Sequence, residues 1–125
     1  MHENECVLVV GASNNPEKYG NRIVKNLKSR GFLVVPINPK ESIIEGLKAY
    51  PSLTLFVQQN PKIPVQWVDI VVPPAVTEQI VQEAKQVGLK NVWLQPGSES
   101  TTAISFCEKN GMRCIHHACI MVDYP

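Results

Sequence analysis

Cys6-Val-Leu-Val-Val-Gly-Ala-Ser-Asn-Asn-Pro-Glu-Lys-Tyr-Gly-Asn-Arg-Ile-Val-Lys-Asn-Leu-Lys-Ser-Arg-Gly-Phe-Leu-Val-Val-Pro-Ile-Asn-Pro-Lys40 is the stretch on which the fold turns. Cys6 to Val10 is an unbroken apolar run, the pattern of a strand covered on both faces. It stops at Gly11-Ala12-Ser13. The next segment has Ile23, Val24 and Leu27 at the spacing of a buried helical stripe, so a helix is predicted from about residue 21 to residue 30, stopped by Gly31. Phe32 to Ile37 is a second apolar strand, followed by Asn38-Pro39-Lys40. Strand, loop, helix and strand in this order form half of a doubly wound nucleotide-binding fold, in which ligands lie beyond the carboxyl ends of the strands. A turn of small residues between a buried strand and a helix brings backbone N–H groups close to an anion at the helix's positive end. Phosphate is the expected anion.

Two features narrow the ligand. After Gly11 the next glycine is Gly20, so the G-x-G-x-x-G dinucleotide fingerprint is absent. The acidic residue that would accept from the ribose 2′-hydroxyl of NAD is missing after the second strand, and Lys40 stands near its place. A cation there favours a nucleotide with a phosphorylated ribose, coenzyme A or NADP, over NAD.

The rest of the chain repeats the alternation. Glu41 to Leu47 reads as at most a short helix with Ile43, Ile44 and Leu47 inward, and Leu53 to Val57 fits either a strand or a helical turn. Val68 to Val72 is the third clear strand, ended by Pro73-Pro74, the second proline suiting a helix's first turn. Val76, Ile80, Ala84 and Val87 mark one face of that helix, and Gly88 ends it. Asn91 to Leu94 is the next strand. Ser98 or Ser100 caps a helix carrying Ala103, Ile104 and Cys107, and Met112 to Ile115 is the last strand. The fold expected is α/β: a Rossmann-like, doubly wound, mainly parallel five-stranded sheet with helices on both faces.

The totals bound the class. At 125 residues the chain reads as a single domain, 1–125. Hydrophobic residues at 44% and charged residues at 18% are globular values, and a net charge of +1 with scattered Lys and Arg disfavours nucleic acid or an anionic membrane as the main partner. No stretch approaches the roughly 20 apolar residues of a membrane span, and the polar lead-in of residues 1–5 has no signal-peptide pattern. A cytoplasmic location is expected, with Cys6, Cys107, Cys114 and Cys119 as free thiols.

Six segments together resemble a known family. They are Val-Val-Gly-Ala-Ser13 with Tyr19-Gly20-Asn21, Val-Pro-Ile-Asn-Pro-Lys40, Gly46 to Leu53, Val68 to Pro74, Val92 to Gly97, and His117-Ala118-Cys119. The chain resembles the stand-alone CoA-binding domain proteins, related to the CoA-binding domain of the succinyl-CoA synthetase alpha subunit. The resemblance implies coenzyme A as ligand and a site built from Gly11, Ala12, Ser13, Tyr19, Asn38, Pro39, Lys40, Val72, Pro73, Pro74, Gln95, Pro96, Gly97 and Cys119. It implies that the Val72-Pro73-Pro74 loop lies along the pantetheine and adenine, and that Cys119 lies near the cleft. Many members carry Asp-Arg-Cys where this chain has His117-Ala118-Cys119, so a role for that acid and arginine does not carry over.

Cys114-x-His116-His117-x-Cys119 offers zinc-ligand types. Its spacing fits no standard pattern, and a strand would turn His117 away from Cys114 and His116. No catalytic constellation is found: the chain has no nucleophile elbow, paired carboxylates or Walker lysine. The leading expectation is a non-catalytic CoA or acyl-CoA binding protein. The alternatives are an NADP-binding oxidoreductase module and a CoA-binding subunit of a larger acyl-CoA ligase. Expected partners are the nucleotide ligand and an acyl-CoA enzyme, and edge strands on a small surface also fit a homodimer.

Overall fold

The computed structural model describes residues 4–124. The first three residues of the predicted lead-in lie outside the described residues. β1 (Cys6–Val10) is buried along its whole length and is an interior strand of a five-stranded sheet. It pairs in parallel with β2 (Leu33–Ile37) on one side and with a strand at Val65–Ile70 on the other. α1 (Tyr19–Ser29) joins β1 to β2 and buries Ile23, Val24 and Leu27, as their spacing predicts.

Residues 41–48 correct the expectation of a short helix. β3 (Ile43–Ile44) and β4 (Leu47–Lys48) form an antiparallel hairpin, with Glu45 and Gly46 turning at φ 50° and 77°. A two-residue turn with both φ positive matches the twist of hairpin strands. Side chains alternate in a strand, so Ile43 and Ile44 cannot both point inward. Ile44 is fully buried, Ile43 is 61% exposed, and Leu47 is half-buried. Residues 53–57 resolve as part of α2 (Leu53–Gln59), where the Ser52 hydroxyl accepts from the Leu55 N–H.

β5 (Val65–Ile70) starts earlier than expected, leaving Val71 and Val72 in the loop after it. α3 (Pro74–Gln86) has Pro74 at its first turn. Its core face keeps Ala84 of the predicted stripe but otherwise differs, with Thr77 and Val81 the other buried residues. Val76 is exposed, and Ile80 and Val87 only lean against the core. The helix is rotated by about one residue, because Val76 and Ile80 face a cavity instead of the sheet. β6 (Asn91–Leu94) follows, then α4 (Thr101–Lys109), capped by Ser100, then β7 (Arg113–Ile115) and the single turn α5 (Ile120–Asp123).

The sheet order is β2-β1-β5-β6-β7, with every described pairing parallel. One core layer joins Leu8, Val10, Val68, Ile70 and Leu94 to α2, α3 and α4. The other joins Val7, Val9, Trp67 and Trp93 to α1, Ile44 and α5. From β1 the chain winds one way through α1, and from β5 it winds the other way through α3. The loops after β1 and β5 therefore part and leave a crevice at their carboxyl ends.

Candidate functional site

A cleft of about 660 Å³ opens at that switch point. Its walls come from three loops: Gly11, Ala12 and Ser13 after β1, Val71, Val72 and Pro73 after β5, and Pro96, Gly97 and Ser98 after β6. Lys18, Tyr19, Gly20 and Asn38 complete it.

The first loop is held from behind by asparagines. Asn38 Nδ2 donates to the Ala12 carbonyl at 2.9 Å, and the buried Asn21 Nδ2 donates to the Ser13 carbonyl at 2.9 Å. Asn14 ties the loop to the hairpin, donating to Ile43 O at 2.7 Å and accepting from Glu45 N at 3.0 Å. A trans peptide points its N–H opposite to its C=O. Fixing the Ala12 and Ser13 carbonyls toward Asn38 and Asn21 thus turns the Ser13 and Asn14 N–H groups the other way. Among the described residues no acceptor takes either of them. Gly11 differs: its N–H donates to Ile37 O at 3.3 Å, so it serves the sheet edge and is not free for a ligand.

α1 begins at this loop with Lys18 as its N-cap, no side-chain cap and no acidic residue in its first turn. Its N–H groups and positive dipole end face the cleft without a built-in anion. The approach is close because Gly20 has no side chain: a Cβ there would lie 2.0 Å from the Gly11 carbonyl oxygen. Gly11 itself has φ +97°, and a Cβ on it would lie 2.1 Å from the Val71 carbonyl oxygen.

The loops after β5 and β6 are joined by the buried Ser98, whose hydroxyl accepts from Val72 N at 3.0 Å. Gly97 N donates to Glu99 Oε1 at 2.9 Å, and Glu99 Oε2 accepts from His117 N at 3.2 Å. Beside the cleft lies a narrower, largely apolar cavity of about 280 Å³, sharing Gly11, Asn38 and Val72 with it. Pro39, Pro51, Val76, Ile80 and Glu83 are among the other residues lining it. Glu83 turns its carboxylate to the start of α2, accepting from Thr54 N and Oγ1 at 2.9 and 2.7 Å.

Nine of the residues singled out in the sequence therefore line one cleft: Gly11, Ala12, Ser13, Tyr19, Asn38, Val72, Pro73, Pro96 and Gly97. Pro39 lines the adjoining cavity. Lys40 is exposed just past it, its N–H bonded to Asn38 Oδ1 at 2.7 Å. Pro74 is the exposed first residue of α3. Gln95 is fully buried, and Cys119 is half-buried behind Tyr19, with Sγ 2.6 Å from the phenol oxygen. Burial and the bond to Cys119 push the Tyr19 phenol up to about 12.

Sequence reasoning missed Lys18, Gly20, Val71 and Ser98. A lysine just before the helix start was the available signal for Lys18. Ser98 read as a cap, and its bond to Val72 is tertiary. Trp93 is core, donating to Ala118 O at 2.9 Å. Cys114 belongs to the layer of α2, α3 and α4, where its bond to Cys107 raises its thiol. Cys119 bonds Tyr19 against the opposite layer, so the two cysteines face opposite sides of the sheet. Among the described residues no group of three or more His, Cys, Asp or Glu side chains is arranged to hold a metal.

A doubly wound domain with a small-residue loop, an uncapped helix start and an apolar side cavity at its switch point defines a nucleotide-binding α/β protein. Residues 5–125 match the CoA binding domain family, and the chain belongs to it. It is 32% identical to the acetate–CoA ligase (ADP-forming) II subunit alpha of Pyrococcus furiosus, over 91% of this chain and 26% of that protein. It therefore spans only about a quarter of that relative. Among solved structures, a conserved hypothetical protein of Pyrococcus furiosus superimposes with TM-score 0.85 at 44% identity, covering 95% of this chain and 98% of that one. A hypothetical protein of Pyrococcus horikoshii gives TM-score 0.81 at 31% identity over 96% of this chain and 80% of that one. Among the described residues no helix is long and apolar enough to cross a membrane.

Proposed function

We propose that this chain binds coenzyme A or an acyl-CoA, with binding and not turnover as its function. The observation that carries this reading is the pair of unpartnered N–H groups at Ser13 and Asn14, set beside the uncapped start of α1. Together they offer a diphosphate fixed donors and a positive dipole end. The apolar cavity beside Pro39, Val76 and Ile80 suits the adenine, and the neighbouring Lys40 suits a 3′-phosphate. The pantetheine arm then follows Val71, Val72 and Pro73 toward Tyr19 and Gly97, where the wall is apolar or backbone and suits an uncharged chain. Lys18, at the cleft rim, is a second cation for the diphosphate. The likeness to a subunit of an acetate–CoA ligase supports an acyl-CoA enzyme as partner, and the free cysteines are in keeping with a cytoplasmic setting.

The test is titration calorimetry with CoA, dephospho-CoA, NADP and NAD. CoA is expected to bind tightest, and NAD not measurably. Equal affinity for CoA and dephospho-CoA would remove Lys40 from the site, and tighter binding of NADP than CoA would overturn the reading.

A further inference from the structure

Asp69 is fully buried on β5, and neither of its oxygens has a hydrogen-bond partner. Strand alternation decides where it points. Val68 and Ile70 belong to the layer of α2, α3 and α4, whereas Trp67 and Val71 belong to the opposite one. Asp69 therefore faces α1 and α5, between its register neighbours Val9 and Trp93. Two residues further along the same face, Val71 lines the cleft. Gln95, two residues past Trp93, is buried on this face too. Its Oε1 accepts from Ile120 N at 3.0 Å, which aims its Nε2 at Cys119 Sγ (3.3 Å) and the Tyr19 hydroxyl (3.4 Å). The Tyr19 hydroxyl lies 2.6 Å from the same sulfur. The Gln95 amide and the Tyr19 hydroxyl thus converge on one half-buried thiol, an orphaned carboxyl faces the same side of the sheet, and Tyr19 connects the thiol to the cleft.

We propose that Cys119, with Tyr19, Gln95 and Asp69, forms a thiol-exchange site that reacts with the disulfide of a small thiol-bearing ligand held in the cleft. The proposal rests on the reading that the cleft seats a pantetheine-bearing nucleotide. The Cys119 thiolate attacks one sulfur of the disulfide. A bond forms between Cys119 Sγ and that sulfur, the ligand's own S–S bond breaks, and its electron pair leaves on the second sulfur, which takes up a proton and departs as a free thiol. The disulfide is the oxidant, so Cys119 is oxidised and the departing half reduced. Tyr19 and Gln95 hold the sulfur in place, at 2.6 and 3.3 Å.

Asp69 acts through Cys119 as a positioning residue. Burial, and then the neighbouring Cys119, hold its carboxyl well above the usual range, and an ionised Asp69 and a Cys119 thiolate repel each other, so the charge on Asp69 is coupled to the pH dependence of exchange. The other titratable groups around the sulfur are the Tyr19 phenol, Asp123, which accepts from Cys119 N at 2.7 Å, and His117 in the preceding turn. Arg30, just past the end of α1, approaches through its bond to Ile120 O.

The test mixes the reduced full chain with coenzyme A disulfide. Released thiol, intact mass and the modified peptide are followed, and CoA affinity is measured separately under reducing conditions. One equivalent of thiol and an adduct on Cys119 are expected, roughly tenfold faster than with glutathione disulfide, and lost in Cys119→Ser. Tyr19→Phe should slow the exchange. Asp69→Asn should move its pH profile to lower pH, which loss of packing alone would not do, and an unmoved profile would exclude Asp69 from the site. Tight CoA binding without modification of Cys119, or modification at Cys6, Cys107 or Cys114 instead, overturns the thiol site and leaves the binding reading standing. Rapid adduct formation at Cys119 without measurable CoA affinity upholds the thiol site and overturns the binding reading.

Discussion

Three glycines at the site separate backbone strain from steric exclusion. Gly97 has φ +92° with nothing within 4 Å of a built Cβ, so Gly97→Ala carries only the cost of a left-handed conformation, about 1–3 kcal/mol. Gly20 lies in α1, where alanine is intrinsically better than glycine by roughly 1 kcal/mol. Its added Cβ, however, would sit 2.0 Å from Gly11 O. Gly11 combines both effects, φ +97° and a 2.1 Å approach to Val71 O. That carbonyl cannot easily retreat, because Val71 N is bonded to Val10 O at 2.9 Å. Overpacking of this kind costs about 1–3 kcal/mol, so Gly11→Ala should lose roughly 2–6 kcal/mol, a large share of the total of about 5–15 kcal/mol. Equilibrium urea unfolding is the assay. With a slope of about 1–3 kcal/mol per molar, the Gly11→Ala and Gly97→Ala midpoints should lie on the order of 1 M apart. Gly20→Ala should also be destabilising, despite the helical preference. Equal midpoints for Gly11→Ala and Gly97→Ala would refute the steric argument. The same geometry makes Gly11 a poor residue for testing ligand contact, since any side chain there disturbs the junction of β1 and β5 before it meets a ligand.

Two further outcomes are expected. Asn38→Ala removes the donation to Ala12 O and the acceptor for Lys40 N and Glu41 N, and should cost about 1–3 kcal/mol in urea unfolding; Asn38→Asp should keep the two accepted bonds and lose less, and equal losses would locate the stabilisation in the donation to Ala12. The Asp69 carboxyl is raised, so above its unfolded value of about 3.9 the unfolded chain has lost a proton that the folded chain keeps, and stability falls with rising pH, by up to about 1.4 kcal/mol per unit, until the folded carboxyl ionises; Asp69→Asn should flatten that slope in melts taken from pH 4.5 upward, and an unchanged slope would place the proton elsewhere.

The sequence alone determined the doubly wound fold, because apolar strands alternate with amphipathic helices and leave few ways to bury both. It also determined the loops that form the cleft, since Gly11, Asn38, Pro73 and Gly97 all follow strands, and a parallel sheet brings those ends together. Sequence reasoning went astray where local pattern and tertiary role part. Val76 and Ile80 have the spacing of a core stripe, yet they line a cavity, and only the docking angle of α3 decides that. Ile43, Ile44 and Leu47 look like one face of a helix, but the Glu45-Gly46 turn makes them a hairpin. The buried network is likewise tertiary. Asp69 sits between the buried apolar Val68 and Ile70 of β5, and Tyr19 and Cys119 stand 100 residues apart. Hydrogen bonds across such separations leave no periodic trace in a sequence, and they form only once α1, β5, β6 and α5 have packed against one another.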